Sequence, residues 1–261
     1  CMLEGIIQIG NSVLKGSKDM ISNYVQDLEP VNRKGKERHV CKLCFCSEKN
    51  DFKIDCKEEI GSYTAAKYSF IGSADGPNSP QWFATSSSYI YLITETMYNL
   101  QNIDFGPEIN QKIKSIFQKY YVDLGEPFKS KNRYILNFKK LGISEEDALE
   151  TLKNTLQKYA DENEKEKYKN AAADLKKIFQ KQFENFIKDK CDMKKDEIGL
   201  YTIFIDDRPL CSSNEYKNAA VESKKKNKKK KSIEGCCSIC GKTDNLTEDL
   251  SKMKIKYYTT N

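Results

Sequence analysis

The chain has 261 residues, of which 38% are hydrophobic and 31% charged, and its net charge at pH 7 is +6. A hydrophobic fraction of this size supports a folded core and excludes a wholly disordered protein. No apolar run approaches the length of a membrane span, and Gly, Lys and Asp interrupt the first residues too often for a signal peptide. The sequence therefore predicts a soluble, cytoplasmic protein without a membrane partner.

The cysteines and the single histidine limit the kinds of metal site and catalytic mechanism that the chain can support. Ten cysteines at irregular spacings indicate reduced thiols or metal ligands rather than a disulfide framework. His39 is the one histidine, which excludes most hydrolytic mechanisms that need an imidazole base and a nucleophile, as well as any site with two histidine ligands. We therefore expect no catalytic residue and no enzyme activity.

The first third of the chain combines helical and extended patterns. Apolar residues recur at helical spacing from Ile6 to Leu28 and predict one or two amphipathic helices that cover a sheet. Alternating segments at Val40–Cys46 and Phe52–Cys56, separated by a polar turn, predict a β-hairpin. Tyr68–Ile71 is a further strand candidate, and the Gly- and Pro-rich segment Gly72–Gln81 predicts a loop.

The middle of the chain is predominantly helical in pattern. Tyr89–Leu100 and Pro107–Tyr121 are predicted helices. The strongest helical signal is Ser144–Cys191, with Ser144 as the N-cap, a charged break at 161–167, and one apolar face on the first helix formed by Leu149, Leu152, Leu156 and Tyr159. The two halves should pair as a helical hairpin.

These patterns predict an α+β fold. The segment Gly199–Ile205 is a buried strand that ends at a turn, Asp206–Pro209. We expect a mixed or antiparallel sheet with a covering N-terminal helix and a helical hairpin inserted at about residues 107–191. The predicted organisation is an N-terminal domain at 1–223, a lysine-rich linker at 224–234 and an incomplete zinc-knuckle-like segment at 235–261.

Two segments have the composition of nucleic-acid contacts. In the predicted loop, Asn78, Ser79 and Gln81 could hydrogen-bond bases, and Trp82 could stack on a base or pack in the core. The second segment is a lysine run that could neutralise phosphates or form a solvated, mobile loop, and it consists of Lys224, Lys225, Lys226, Lys228, Lys229, Lys230 and Lys231. Outside that run the chain is close to neutral.

A CxxC motif near the end of the chain resembles half of a zinc site. Cys237 and Cys240 are separated by two residues and followed by Gly241, a spacing that suits two thiolates on one ion. The remaining pair of ligands would come from residues beyond Asn261 or from Cys41, Cys44, Cys46 or Cys56. The alternative is that all of these cysteines are small buried hydrophobic residues.

The order of four motifs resembles a known family. They are the Met2–Gly10 helix, the segment from Tyr68 through Ser79-Pro80-Gln81-Trp82 to Thr85, the strand Leu200–Asp207, and Cys237-x-x-Cys240-Gly241 followed by Lys256–Thr260. Together they resemble the N-terminal part of the large subunit of the subtype I-B CRISPR interference complex (Cascade). Because family members are usually longer, we expect the chain to be an N-terminal fragment.

The resemblance implies a non-catalytic subunit of an RNA-guided antiviral complex. Its partners would be guide RNA, target double-stranded DNA, the other Cascade subunits and the helicase-nuclease recruited to the complex. Base pairing would read the target sequence, while this protein would help to read the protospacer-adjacent motif. Two alternatives are a docking module without DNA contacts and a metal-dependent nuclease that uses Asp206 and Asp207.

Overall fold

A computed structural model describes residues 20–49, 51–73, 81–126, 128 and 130–227. The described residues before Lys224 belong to one compact unit, Asp19–Ser223. Helices and a mixed sheet form this unit, which confirms the predicted α+β class.

The main sheet has five strands in the order β2-β1-β6-β3, with β7 on the same edge of β6 as β3. Strand β1 runs antiparallel to β2 and parallel to β6, whereas β3 and β7 run antiparallel to β6. A second sheet pairs β4 with β5. The strands are β1 (His39–Phe45), β2 (Phe52–Glu59), β3 (Thr85–Ser86), β4 (Tyr121–Asp123), β5 (Tyr134–Leu136), β6 (Ile198–Ile205) and β7 (Arg208–Pro209).

Seven α-helices lie within the described residues. Helices α5 and α6 pack against each other as the predicted helical hairpin. The helices are α1 (Thr64–Lys67), α2 (Thr96–Leu100), α3 (Pro107–Tyr120), α4 (Ser130–Arg133), α5 (Ala148–Lys158), α6 (Glu164–Cys191) and α7 (Asn214–Asn227). Short 3-10 turns occur at Met20–Tyr24, Lys195–Glu197 and Leu210–Ser212.

Both faces of the main sheet are covered. On one face, α6 lies over the sheet: Phe52 stacks on Phe186, and Tyr89 packs between Phe183 and Tyr201. On the other face, Tyr68 packs against Phe204. Because β6 lies between β1 and the edge strands and is covered on both sides, its residues form a continuous apolar run instead of an alternating one.

The predicted N-terminal helix does not reach Leu28. The described part has a 3-10 turn at Met20–Tyr24 and then an irregular segment, in which the Gln26 N–H donates to the Phe70 carbonyl at 2.8 Å. In a continuing helix this N–H would bond to the carbonyl four residues earlier. Because it bonds to a distant segment of the chain instead, the helix does not continue through Gln26. The covering helix over residues 2–10 lies outside the described residues.

The predicted strand Tyr68–Ile71 is wrong. The segment follows helix α1, and Ser69 adopts a positive φ of 49°. The Phe70 N–H donates to the Ala65 carbonyl at 2.8 Å, which closes the helix end in a turn. All four residues are buried, and a short apolar run indicates burial without distinguishing a strand from a turn.

The predicted helix at Tyr89–Leu100 is only partly present. Residues 90–95 form turns, and the helix is confined to Thr96–Leu100. Thr94 donates its hydroxyl to the Ile90 carbonyl at 2.8 Å. This side-chain bond offers the backbone an alternative to regular helical pairing, which is typical of threonine.

The first helix of the hairpin begins later than predicted and faces the core differently. Its N-cap is Asp147, whose carboxylate accepts the Leu149 N–H at 2.9 Å, and Leu149 itself is 50% exposed. The buried positions include Thr151 and Thr155. Both threonines donate to backbone carbonyls one turn earlier, at 2.9 and 2.7 Å, so their hydroxyls are buried without losing hydrogen bonds.

Candidate nucleic-acid interface

The sequence-predicted contact residues fall only partly within the structure. Gln81 is half-buried, and its backbone carbonyl accepts a hydrogen bond from the Asn99 amide at 3.0 Å. Lys224, Lys225 and Lys226 continue helix α7 rather than forming a loop, and burial lowers the pKa of the Lys224 ammonium. The others lie outside the described residues: Asn78, Ser79, Lys228, Lys229, Lys230, Lys231, Cys237 and Cys240.

Both ends of the predicted loop are fixed to the folded unit. At the first end, Ser73 and Ser87 are joined by their hydroxyls, and the Ser87 N–H donates to the Ser73 hydroxyl at 3.0 Å. At the other end, the half-buried Trp82 packs edge-on against Tyr216 with ring centroids 5.8 Å apart. The structure therefore gives Trp82 a packing role next to the core.

A cavity of about 600 Å³ opens beside Ser87, which holds the first end of the loop through its bonds to Ser73. Its walls come from Arg38, which precedes β1, and from the segment that follows β3. The C-terminal half of α6, the connection from α6 to β6, and β6 itself form the remaining walls. We call it the basic cleft, and its main polar lining residues are Arg38, Ser87, Lys188, Lys194, Lys195 and Tyr201.

The charge balance of the basic cleft is positive. Four cationic side chains line it against two carboxylates, those of Glu184 and Asp196. Glu184 accepts the Tyr89 hydroxyl at 2.6 Å and pairs with the Lys195 ammonium at 3.0 Å. Asp196 lies 3.5 Å from the Lys34 ammonium. Because Lys195 pairs with Glu184 and Arg38 lies 3.6 Å from Glu29, Lys188 and Lys194 are the cations of the cleft that are most available to a bound anion.

Two buried donors in the cleft lack hydrogen-bond partners within the described part of the chain. They are the hydroxyl of Tyr201, whose side chain belongs to a residue only 2% exposed, and the Nε–H of Arg38. Burial raises the pKa of the Tyr201 phenol well above its ordinary value, so the hydroxyl keeps its proton at neutral pH. An unpaired buried hydroxyl is costly, and the cost is removed when a ligand accepts its hydrogen bond.

Sequence reasoning missed the basic cleft. Its residues come from three distant parts of the chain, at position 38, at 87–89 and at 184–201. The only local signal is the group of lysines at 188, 194 and 195, which a solvated helix end explains equally well. The parallel pairing of β1 with β6 places Arg38 beside Gly199, two residues before Tyr201 on β6.

The cysteines of the hairpin do not form a common metal site. Cys41 and Cys44 are three residues apart on β1, so their side chains point to opposite faces of the sheet. Burial raises the pKa of the Cys44 thiol to about 11, which disfavours the thiolate that zinc requires. No group of three possible ligands occurs among the residues that the structure describes.

Asp206 and Asp207 occupy a two-residue turn between β6 and β7. Both have positive φ, 49° and 62°, as this type of hairpin turn requires. The Asp206 carboxylate accepts the Ser47 N–H at 2.8 Å and its hydroxyl at 2.7 Å, and lies 3.3 Å from the Lys112 ammonium. Asp207 is exposed and pairs with Lys53 at 3.3 Å. The two carboxylates therefore hold separate structural contacts.

Replacing Asp206 with asparagine should remove a pH-dependent part of the stability. Partial burial raises the pKa of this carboxyl, but the Ser47 donors and Lys112 outweigh it and hold the pKa below its ordinary value. The carboxylate therefore stabilises the fold above about pH 4, and this contribution disappears as the pH falls through the lowered pKa. We expect Asp206→Asn to cost about 1–2 kcal/mol at pH 7 and much less near pH 2.

Urea titrations at both pH values measure this difference. Asp207→Asn is the matched control because it keeps the same turn position and charge change while removing only an exposed ion pair. Asparagine also tolerates positive φ, so the backbone is retained in both variants. Equal losses from the two variants at pH 7 would contradict the assigned role of Asp206.

The fold and the basic cleft define the class of protein: an α+β domain with a mixed sheet and a positively charged cavity at the edge of that sheet. The family model for the N-terminal domain of CRISPR-associated protein TM1802 matches residues 2–222. The chain therefore belongs to this CRISPR-associated family. No match was found among curated proteins or among solved structures. None of the described helices is long and apolar enough to cross a membrane.

Proposed function

We propose that the chain is a non-catalytic subunit of a subtype I-B CRISPR interference complex. In this role it contributes to recognition of the protospacer-adjacent motif and target DNA, and to assembly with guide RNA and the other Cascade subunits. The helicase-nuclease recruited to the complex supplies cleavage. Zinc held by Cys237 and Cys240, with ligands from elsewhere, belongs to the same proposal.

Membership of a CRISPR-associated family over residues 2–222 is the observation that carries this proposal. Two features of the chain support the nucleic-acid part of the role. One is the lysine run at 224–231, and the other is the basic cleft next to the loop end that Ser87 holds. Cations contribute affinity through phosphates, whereas amide side chains supply discrimination between bases.

The amides of the loop provide the test. In the reconstituted complex with guide RNA, Asn78→Ala or Gln81→Ala should reduce preference for one short duplex motif, by about 1–3 kcal/mol for a lost hydrogen-bonding pair to a base edge. Selection from a duplex library, randomised beside the guide-matched sequence, measures that preference. The slope of log affinity against log salt should not change because amides carry no charge.

Gln118→Ala is the matched control for this test, since Gln118 is an exposed amide on helix α3. If Asn78→Ala and Gln81→Ala leave motif preference unchanged and lower the melting temperature, the loop is structural. Motif reading would then have to be assigned to another part of the complex.

A docking role without DNA contacts is the second candidate. An apolar cavity of about 290 Å³ between α6, the turns at 90–94 and the β4–β5 ribbon favours it, since a side chain of a neighbouring subunit fits such a site. A complex that assembles with this chain but recognises its target equally well without it would favour docking. Metal-dependent cleavage that is lost in Asp206→Ala or Asp207→Ala would instead favour a nuclease.

A further inference from the structure

The basic cleft brings four cationic side chains together with two buried donors, the Tyr201 hydroxyl and the Arg38 Nε–H, that have no hydrogen-bond partner among the described residues. We propose that it binds a backbone phosphate of single-stranded nucleic acid. This inference rests on the proposed function and deepens it, because it names the ligand chemistry of one site in the folded unit.

Tyr201 provides the evidence that the cleft is built for a ligand. Its ring is packed edge-on against Tyr89 at 5.4 Å, so the hydroxyl position is fixed. Tyr201 lines the cavity, and its buried hydroxyl has no hydrogen-bond partner among the described residues. A buried donor fixed in this way matches a phosphate oxygen, which accepts hydrogen bonds strongly.

The surrounding charges favour an anion. Glu184 is already bound by Lys195 and Tyr89, so it does not repel an incoming phosphate as a free carboxylate would. Arg38 lies 3.6 Å from the carboxylate of Glu29. Because Glu29 is exposed to water, this ion pair is weak, and a phosphate bound in the cleft can replace Glu29 as the partner of the Arg38 guanidinium. Its unpaired Nε–H completes a set of donors with the ammonium groups of Lys188 and Lys194.

The dimensions favour a single strand over a duplex. A volume of about 600 Å³ is in the range of small-molecule sites and accepts a phosphate with its sugar. Tyr89 and Tyr201 are buried, so neither ring offers a face on which a base could stack. We therefore expect recognition of the backbone with little sequence preference, and contact with a strand that continues past the loop end that Ser87 holds.

Binding of labelled single-stranded oligonucleotides to the full chain tests this site, with RNA and DNA of one sequence as parallel probes and inorganic phosphate as a competitor. Tyr201→Phe should weaken binding about ten-fold with an unchanged salt slope, because a neutral donor is lost. Its melting temperature should not fall, since the hydroxyl has no partner to lose. Lys188→Gln combined with Lys194→Gln should weaken binding and reduce the salt slope by about 0.7, the value for one phosphate contact on a single strand.

Lys177→Gln combined with Lys181→Gln is the matched control, because both lysines are exposed on α6 and neither lines the cleft. The inference is overturned if the cleft variants bind like the unmodified chain, if replacement of Lys228–Lys231 by serine alone abolishes binding, or if neither oligonucleotide binds. A difference between RNA and DNA identifies the strand that is held. If inorganic phosphate displaces the oligonucleotide at equal concentration, the cleft is a site for free phosphate, and the proposal that it holds a nucleic-acid strand is wrong.

The two proposals can fail separately. If the cleft variants behave as expected but the chain joins no guide RNA complex, the site stands and the CRISPR subunit role is wrong. If the complex assembles and recognises its target while the cleft variants bind oligonucleotide normally, the role stands and the cleft is not its phosphate site.

Discussion

Replacing Phe183 with alanine is expected to lower the free energy of unfolding by about 3–5 kcal/mol. The Phe183 ring is fully buried and contacts Tyr89, Phe138 and Phe186, so its removal leaves a cavity among large, rigid rings. Chemical denaturation followed by circular dichroism gives the change. Because α6 also carries Glu184 and Lys188, oligonucleotide binding should weaken in the same variant.

Leu149→Ala is the control for this experiment. Leu149 lies on the other helix of the hairpin, and its sequence spacing predicted a buried position, but it is 50% exposed. We expect its truncation to cost less than about 1 kcal/mol. A loss as large as that of Phe183→Ala would mean that the hairpin turns a different face of α5 toward the core.

Replacing Tyr216 with alanine should cost about 3–5 kcal/mol, because its ring is fully buried between Trp82 and Phe105. The Ala84 N–H donates to the Tyr216 hydroxyl at 2.9 Å, so Tyr216→Phe should still cost about 1–3 kcal/mol by leaving that donor unpaired. Trp82 is the only tryptophan of the chain, and its fluorescence reports unfolding directly.

The comparison of the two Tyr216 variants separates packing from hydrogen bonding. Tyr63→Ala is the control, since Tyr63 is 84% exposed and its truncation should hardly change stability. In the folded Tyr216→Ala protein, we also expect the Trp82 emission to shift to longer wavelength as water reaches the indole. An unshifted emission would contradict the packing that fixes this end of the loop.

The basic cleft and the loop are linked through short segments of the same sheet edge. Ser87 follows β3, borders the cleft and is bonded to Ser73. Strand β3 itself pairs with Thr202 and Tyr201 of β6. A nucleic-acid strand in the cleft would therefore lie close to one fixed end of the loop that carries Asn78, Ser79 and Gln81.

The sequence by itself determined the elements whose signals are local. Alternation predicts the β1–β2 hairpin, Pro107 in its first turn predicts α3, and the two long amphipathic runs predict the α5–α6 hairpin. The turn at Asp206–Pro209 is equally local, because its residue types tolerate the backbone angles it needs. These elements were sufficient to predict the α+β class, whereas the CRISPR association was predicted from the resemblance of four motifs and their order to a known family.

Tertiary structure alone decided which faces are buried and where the cleft lies. Tyr68–Ile71 is apolar because it packs under the sheet, and burial is not specific to strands. Leu149 is exposed while Thr151 and Thr155 are buried, because their hydroxyls bond to backbone carbonyls and α6 covers that side of α5. The cleft needs the start of β1, which Arg38 precedes, beside the parallel strand β6 that carries Tyr201, and no local pattern encodes this pairing between segments far apart in the chain.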